Sequence, residues 1–448
     1  MRFVEADFLF DGENWLRDVR LEIDETGRIV QSVKAISDTP RHSVVIPGFV
    51  NSHSHCFQRA MAGFAEKSFD GKDSFWGWRE RMYGLVNSLS AEDFAKICRF
   101  FMAENLQCGY TTLVEFHYFH NRADGSAYEP EELLSLNLIH SAKTAGIRFT
   151  LLPVLYMMGG FGRTALLEQK PFLMESVKDY LRLFSRLSEK NSPSFLCGMA
   201  IHSLRAVTKS ALQELVEKRG DLPVPIHIHI AEQELEVTQC QNFYGKRPVE
   251  WILDNLPVDE RWSLIHATHV SAWELLHMAR KNVVAGLCPI TEANLGDGLF
   301  PLRKWLDLDG SISIGSDSNI RLDPFEELRL LEYGQRLTKK SRCVVADPNC
   351  PSTGMRLVRS LYKGSSQSSG FSVGGLKVGD MADFLVLDPS HPSLINPSID
   401  TLWDRLIFSG SREMILNVFV GGEQVVHQGI HSDYKEALKG FSEVLLER

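Results

Sequence analysis

Residues 44–55 read VVIPGFVNSHSH: an apolar β-rich run punctuated by Pro-Gly and ending in two histidines two apart. The run predicts a strand over 44–52. Side chains two apart on a strand share a face, so His53 and His55 point the same way at its carboxyl end. Working outward, similar runs recur at 111–117 (TTLVEFH), 147–154 (IRFTLLPV), 195–202 (FLCGMAIH), 224–230 (VPIHIHI), 262–266 (WSLIH), 282–288 (NVVAGLC) and 311–316 (SISIGS). Helical patterns lie between them. Ser90 with Asp93 resembles a capping box before a helix over 91–107, and Ser271 is placed to cap 272–280. Eight strands with interleaved helices predict an α/β fold, a (β/α)8 TIM-type barrel whose catalytic groups sit at the carboxyl ends of its strands.

The two ends of the chain read differently. DVRLEIDETGRIVQSV early, and ADFLVLD and MILNVFVGGEQVVHQG late, are short alternating strands with turn signals. They predict one small β-sandwich domain built from both termini, residues 1–43 and 375–448, around a catalytic barrel over 44–374. GSSQSSG at 364–370 is the low-complexity patch and reads as a linker between the two.

Composition narrows the function. Of 448 residues, 48 Lys+Arg against 57 Asp+Glu give a net charge of −9, with no block of basic residues to mark a nucleic-acid surface. No stretch approaches the roughly 18 apolar residues of a membrane span, and the start, MRFVEADFLFDGENW, lacks the basic end and apolar run of a signal peptide. A cytosolic protein with no membrane or nucleic-acid partner is expected. The eight cysteines contain no C-x-x-C, which excludes zinc ribbons and thioredoxin-type redox and leaves reduced thiols. The histidines, by contrast, bunch into H53-S-H55, H227-I-H229 and H266-A-T-H269.

On the barrel reading, strand one ends in His53 and His55, strand five in His229 with Glu232 just beyond, strand six at His266 and strand eight at Asp317. Any one of these has a bland alternative, as a satisfied core histidine or, for Asp317, a helix cap through Ser318 and Asn319. Their joint placement at four strand ends points instead to a centre for Zn²⁺ or another borderline divalent ion, with an open position for water. His227 lies one layer deeper and reads as core. His269 and Cys56 read as surface or packing residues.

PGFVNSHSH, HIHIAE, the histidine of IHATH, GSDSN, ADFLVLD and FVGGEQV resemble the amidohydrolase superfamily over essentially the whole chain. In its mononuclear deaminase branch the positions matching His53, His55, His229 and Asp317 hold one metal, and those matching Glu232 and His266 move protons, with Asp317 also a proton acceptor. Binuclear branches bridge two metals with a strand-four lysine; SFLCGMAIHSLR contains none, so one divalent ion, zinc, is implied. The branch often carries H-A-P-Y where this chain has H202-S-L-R205, and an arginine fork there suits a carboxylate. The long segment 53–89 carries two further groups to aim at a substrate, Gln58 and Arg79.

HSHCFQRAMAG, FWGWRERMYG, VEFHYFH, AIHSLRAV, CPITEANLGDGLFPL and SDSNIRLDPFEELRLLEYGQR are similar to members of this branch that act on N-formimidoyl amino acids. That implies hydrolysis of N-formimidoyl-L-glutamate to N-formyl-L-glutamate and ammonia, a step of histidine degradation. It places Gln58, Arg79, Tyr118, His202 and Arg205 around the glutamate, and it implies a homodimer. Thr291, Glu292 and Asn294 read as wall or as residues supporting the site from behind. The alternatives are a deaminase of the same branch acting on a guanidino acid, purine or pterin, and a catalytically silent barrel serving as scaffold.

Overall fold

The computed structural model describes residues 2–35, 41–67 and 75–446, apart from the side chains of residues 75 and 76. Eight parallel strands follow one another around a barrel: β1 (Phe49–Ser54), β2 (Tyr110–His117), β3 (Arg148–Leu155), β4 (Met199–Ile201), β5 (Ile226–Ile230), β6 (Trp262–His266), β7 (Val284–Leu287) and β8 (Ser311–Ile314). All their residues are buried, because the barrel interior and the surrounding helices cover both faces. The seam between β1 and β8 is a short parallel bridge at Ser54 and Asp317. There the His55 amide donates to the Asp317 carbonyl at 3.0 Å and the Asp317 amide donates to the His53 carbonyl at 2.9 Å. Barrel closure and the expected ligand cluster are therefore the same piece of backbone.

The expected strand over 44–52 is two strands. His42–Pro47 belongs to the small sheet and β1 begins at Phe49, so the expected junction after residue 43 falls within a strand of that sheet. Gly48 makes the switch, since a Cβ there would stand 2.1 Å from Thr111 Oγ1. The strand expected over 195–202 is also divided at Gly198, with Phe195–Cys197 pairing on β3 ahead of β4. The capping boxes at Ser90 and Ser271 are formed.

The 364–370 stretch is no linker. Gly364 to Ser369 end the helix Thr353–Ser369, and Gly364, Ser365, Ser368 and Ser369 are buried. A Cβ on Gly364 would lie 2.1 Å from the Ile312 carbonyl oxygen, so the small residues allow this helix to press against the barrel. Its last carbonyls accept from Thr150 (2.7 Å) and from His227 Nε2 (2.9 Å), near the amino ends of their strands. His227 is thus a core group.

The small β domain takes the form of one continuous sheet in the order Ile430–His431, Glu423–His427, Ile415–Val420, Phe384–Leu387, His42–Pro47, Arg2–Phe10, Trp15–Ile23, Ile29–Lys34. The two ends of the chain meet where Phe384–Leu387 pairs antiparallel with His42–Pro47. The sheet encloses its own core, including Val4, Leu9, Leu21, Phe384 and Val386. It is tied to the barrel by a buried bidentate pair: Arg148 Nε and Nη2 donate to the Asp383 carboxylate at 2.8 and 2.9 Å. No described helix is long and apolar enough to cross a membrane.

Candidate metal centre and substrate pocket

β1 carries His53 and, one residue past its end, His55; β5 carries His229; Asp317 follows β8. One ligand atom from each lies within 4.8 Å of all the others. His53 Nε2 and His229 Nε2 stand 2.9 Å apart, and Asp317 Oδ1 is 3.5 Å from His53 Nε2 and 3.2 Å from His55 Nε2. The Nδ1 atoms of His55 and His229 face the carbonyls of Phe116 (3.0 Å) and His202 (3.1 Å). A carbonyl only accepts, so each Nδ1 carries the proton and each Nε2 turns a lone pair toward the cluster. Burial disfavours the imidazolium further, holding His229 well below its ordinary pKa and His53 at about 3. Three imidazoles and a carboxylate are the donor set of a borderline divalent ion, so the residues fit the metal the sequence implies. His266, Cys288 and Asp317 form a second trio within the same reach, but it shares Asp317 and offers one donor fewer.

The strand ends are held in unusual backbone. Ala231, His266, Ala267, Asp317 and Asn319 all have φ between 46° and 68°. Side chains of other residues brace them. The Glu236 carboxylate accepts from the amides of Ala231 and Glu232, both at 3.1 Å, and the Asn319 amide group donates to the His55 carbonyl at 2.8 Å. Glu115 on β2 accepts from Ser54 Oγ and, at 2.6 Å, from the Cys56 amide, gripping both neighbours of His55. Burial pushes the Glu115 carboxyl up to about 7.

Glu232 and His266 stand beside the cluster. His266 Nε2 is 3.9 Å from Glu232 Oε1 and 3.8 Å from Asp317 Oδ2, while Nδ1 is 3.2 Å from Glu292 Oε1. Burial works against charge on the ring, but Glu232, Glu292 and Asp317 outweigh it and raise His266 to about 10. Burial raises the Glu232 carboxyl above the usual carboxylate range, against the pull of His266 and Arg205.

One pocket brings this chemistry to the expected substrate residues. Its walls include His55, His229, Glu232, His266 and Asp317 together with Gln58, Arg79, Tyr118, His202 and Arg205. His53 is fully buried. Gln58 Nε2 donates to Tyr118 Oη at 2.8 Å, and Gln58 Oε1 is buried with no hydrogen-bond partner. Arg205, just past β4, is buried, and Arg79 sits on the helix Phe75–Ser88 with its guanidinium 5.4 Å from the Tyr83 ring centre. His202 is held well below its ordinary pKa by burial and by Arg205, so its imidazole is neutral. Of the long segment 53–89, residues 68–74 lie outside the described residues.

Sequence reasoning missed several contributors. Tyr83, Tyr156 and Phe172 come from three separate elements and complete the pocket wall; their spacing carries no signal. Glu292, read as wall or support without a definite role, is the hydrogen-bond partner of His266 and also accepts from the Cys288 amide at 2.9 Å. Its place four residues past the end of a strand run was the available signal. Thr291 bonds the Ser316 carbonyl and the Ser318 hydroxyl, and Asn294 donates to Glu66. His269 Nε2 is turned away onto the Asp297 carbonyl, and Cys56 packs on Cys98, as expected of residues outside the site.

Residues 44–425 match the amidohydrolase family. The chain is 42% identical over 439 residues to a formimidoylglutamate deiminase of Pseudomonas aeruginosa, covering 97% of each chain. It is 25% identical over 435 residues to a 5-methylthioadenosine/S-adenosylhomocysteine deaminase of Pyrococcus furiosus, covering 92% of this chain and 91% of that one. Among solved structures it superposes on an amidohydrolase from Brucella melitensis with a TM-score of 0.93 at 38% identity, over 100% of this chain and 99% of the other.

Proposed function

Because the chain belongs to the amidohydrolase family, we propose that it is a metal-dependent deiminase that hydrolyses N-formimidoyl-L-glutamate to N-formyl-L-glutamate and ammonia in histidine degradation. The observation that carries the reading is one pocket lined by Arg79 and Arg205 together with His55, His229 and Asp317 of the cluster. A dicarboxylate needs cations at one end and hydrolytic chemistry at the other. A neutral purine has no use for the two arginines, and a silent scaffold has no use for either set.

His53, His55, His229 and Asp317 would hold one divalent ion, zinc in this reading; when bound it supplies Lewis acidity toward a water molecule and toward the formimidoyl group. Arg205 and Arg79 bind the glutamate carboxylates, while Gln58, Tyr118 and neutral His202 orient the carbon chain with hydrogen bonds. Glu232, whose carboxyl burial raises above the usual carboxylate range, is the acid that delivers a proton to the imine nitrogen. Asp317 and His266 take the proton that water loses. Glu232, Glu292 and Asp317 favour charge on the His266 ring against its burial, so a proton arriving there is stabilised. As the C–N bond breaks, the proton taken by Asp317 and His266 passes to the same nitrogen, which leaves as ammonia; the carbon keeps the water oxygen as its carbonyl, and the remaining hydroxyl proton returns to Glu232.

The cytosolic setting and the homodimer belong to the same proposal, the second being checked by sedimentation. Product analysis tests the reading itself. Metal-loaded protein given N-formimidoyl-L-glutamate should release ammonia and N-formyl-L-glutamate in equal amounts, and ammonia with no N-formyl-L-glutamate would refute it.

A further inference from the structure

Outside the reaction pocket lies a second, open cavity that shares two of its walls. Arg79 and Arg205 line both; the outer cavity adds Arg163, Gln239 and Asn242. Among the described residues its lining contains three guanidiniums and no carboxylate, on a chain whose net charge is −9.

The local structure accounts for Arg163. Residues 160–163 form a tight turn, with the Arg163 amide donating to the Gly160 carbonyl at 3.0 Å and the Gly159 amide to the Arg163 carbonyl at 3.1 Å. The turn is anchored by Phe161, which packs on Phe243 and Tyr244 of the helix Glu234–Tyr244 with ring centres 5.7 and 5.9 Å away. That same helix lines the cavity with Leu235, Gln239, Asn242 and Phe243, none of them charged. Arg163 is exposed, and no described acid forms an ion pair with it. Arg205 is the buried member of the three, Arg79 is half-buried and Arg163 is exposed, so the cations run from solvent inward.

We propose that this outer cavity is a receiving site for small dicarboxylate anions, with Arg163 as its entrance cation and Arg79 and Arg205 as the groups that pass the ligand to the reaction pocket. The proposal rests on the dicarboxylate reading of the reaction pocket and deepens it. It also resolves a physical difficulty, because the overall field of an acidic protein repels such a substrate and only a local concentration of positive charge can gather it.

The test uses glutarate, a dicarboxylate that lacks the formimidoyl group, so that binding is read without turnover. Its dissociation constant for the metal-loaded full chain is measured by calorimetry at about 20 mM and about 500 mM NaCl, for the natural protein, Arg163→Glu, Arg163→Lys and Lys439→Glu. Lys439→Glu changes the net charge by the same two units on the exposed side of the C-terminal helix. Arg163→Glu should weaken glutarate binding about three- to tenfold at low salt and less than twofold at high salt, where the screening length falls to a few ångströms. Arg163→Lys and Lys439→Glu should stay within about twofold of the natural protein. Equal effects of Arg163→Glu and Lys439→Glu, no effect of Arg163→Glu at low salt, or a loss that persists at high salt would each overturn the receiving site. If the natural protein binds glutarate with this Arg163 dependence but does not hydrolyse N-formimidoyl-L-glutamate, the substrate assignment falls and the receiving site stands.

Discussion

Replacing Glu292 by Gln removes one charge and almost no volume. Glu292 is buried, and its Oε1 accepts from His266 Nδ1 at 3.2 Å and from the Cys288 amide at 2.9 Å. A glutamine oxygen can serve both donors, so the helix start at Pro289 keeps its bond and the fold should hold. What is lost is a negative charge beside the ring. At this separation and an effective dielectric near 20, the bare attraction is about 5 kcal/mol, an upper bound because the amide dipole recovers part of it. The net value of a hydrogen bond to a charged group is about 1.5–3 kcal/mol, which corresponds to roughly 10- to 150-fold in rate if the charge on His266 grows in the transition state. Glu292 does not line the substrate pocket, so KM should change little. Removing the acid also lowers the His266 pKa, and because the ring must be neutral to accept a proton, the acidic limb of the kcat profile should move to lower pH. The assay is steady-state ammonia release across pH, with metal content measured on the same preparation. A kcat within threefold of the natural protein at full metal content, or an effect confined to KM, would refute the role given to Glu292.

Other variants probe separate parts of the account. Glu232→Gln should lower kcat by about 10²–10⁴-fold with metal still bound and KM nearly unchanged, and near-normal turnover would remove Glu232 as the proton donor. Arg205→Met should cost about 2–5 kcal/mol in kcat/KM on N-formimidoyl-L-glutamate, and an unchanged value would take Arg205 out of the pocket. Asp297 is raised to about 9 by burial, then by Glu232, so between about pH 4 and pH 9 the unfolded chain releases a proton that the folded protein keeps, and stability falls as pH rises. Asp297→Asn should therefore raise Tm more at pH 8 than at pH 5; an equal gain at both would contradict the linkage. Arg148→Met leaves Asp383 buried without its cation and should cost about 3–5 kcal/mol in urea unfolding, and a loss under 1 kcal/mol would show the pair to be dispensable.

What the sequence disclosed was whatever one strand or one spacing could carry. His53 and His55 share a face because they are two apart, and His229, His266 and Asp317 mark strand ends because helical patterns follow them, so the metal and proton-carrying candidates could be named before their distances were known. The break at Gly48 was hidden because apolar residues continue through it, and only the approach to Thr111 demands a turn there. Residues 364–370 looked like a linker by composition, whereas Gly364 and the serines are small so that a helix can lie against the Ile312 carbonyl. Glu292, Glu115 and Glu236 act through contacts between different elements, which one-dimensional spacing does not record.

The central claim is that the pocket selects a dicarboxylate for hydrolysis at a C–N bond. The most direct measurement is kcat/KM for ammonia release by the metal-loaded protein from N-formimidoyl-L-glutamate, a guanidino acid, adenosine and a pterin, compared side by side. The account predicts that N-formimidoyl-L-glutamate exceeds each of the others by at least about 100-fold, the order expected when a buried cation loses its partner. A preference for adenosine or the pterin, or no ammonia from N-formimidoyl-L-glutamate, would contradict it.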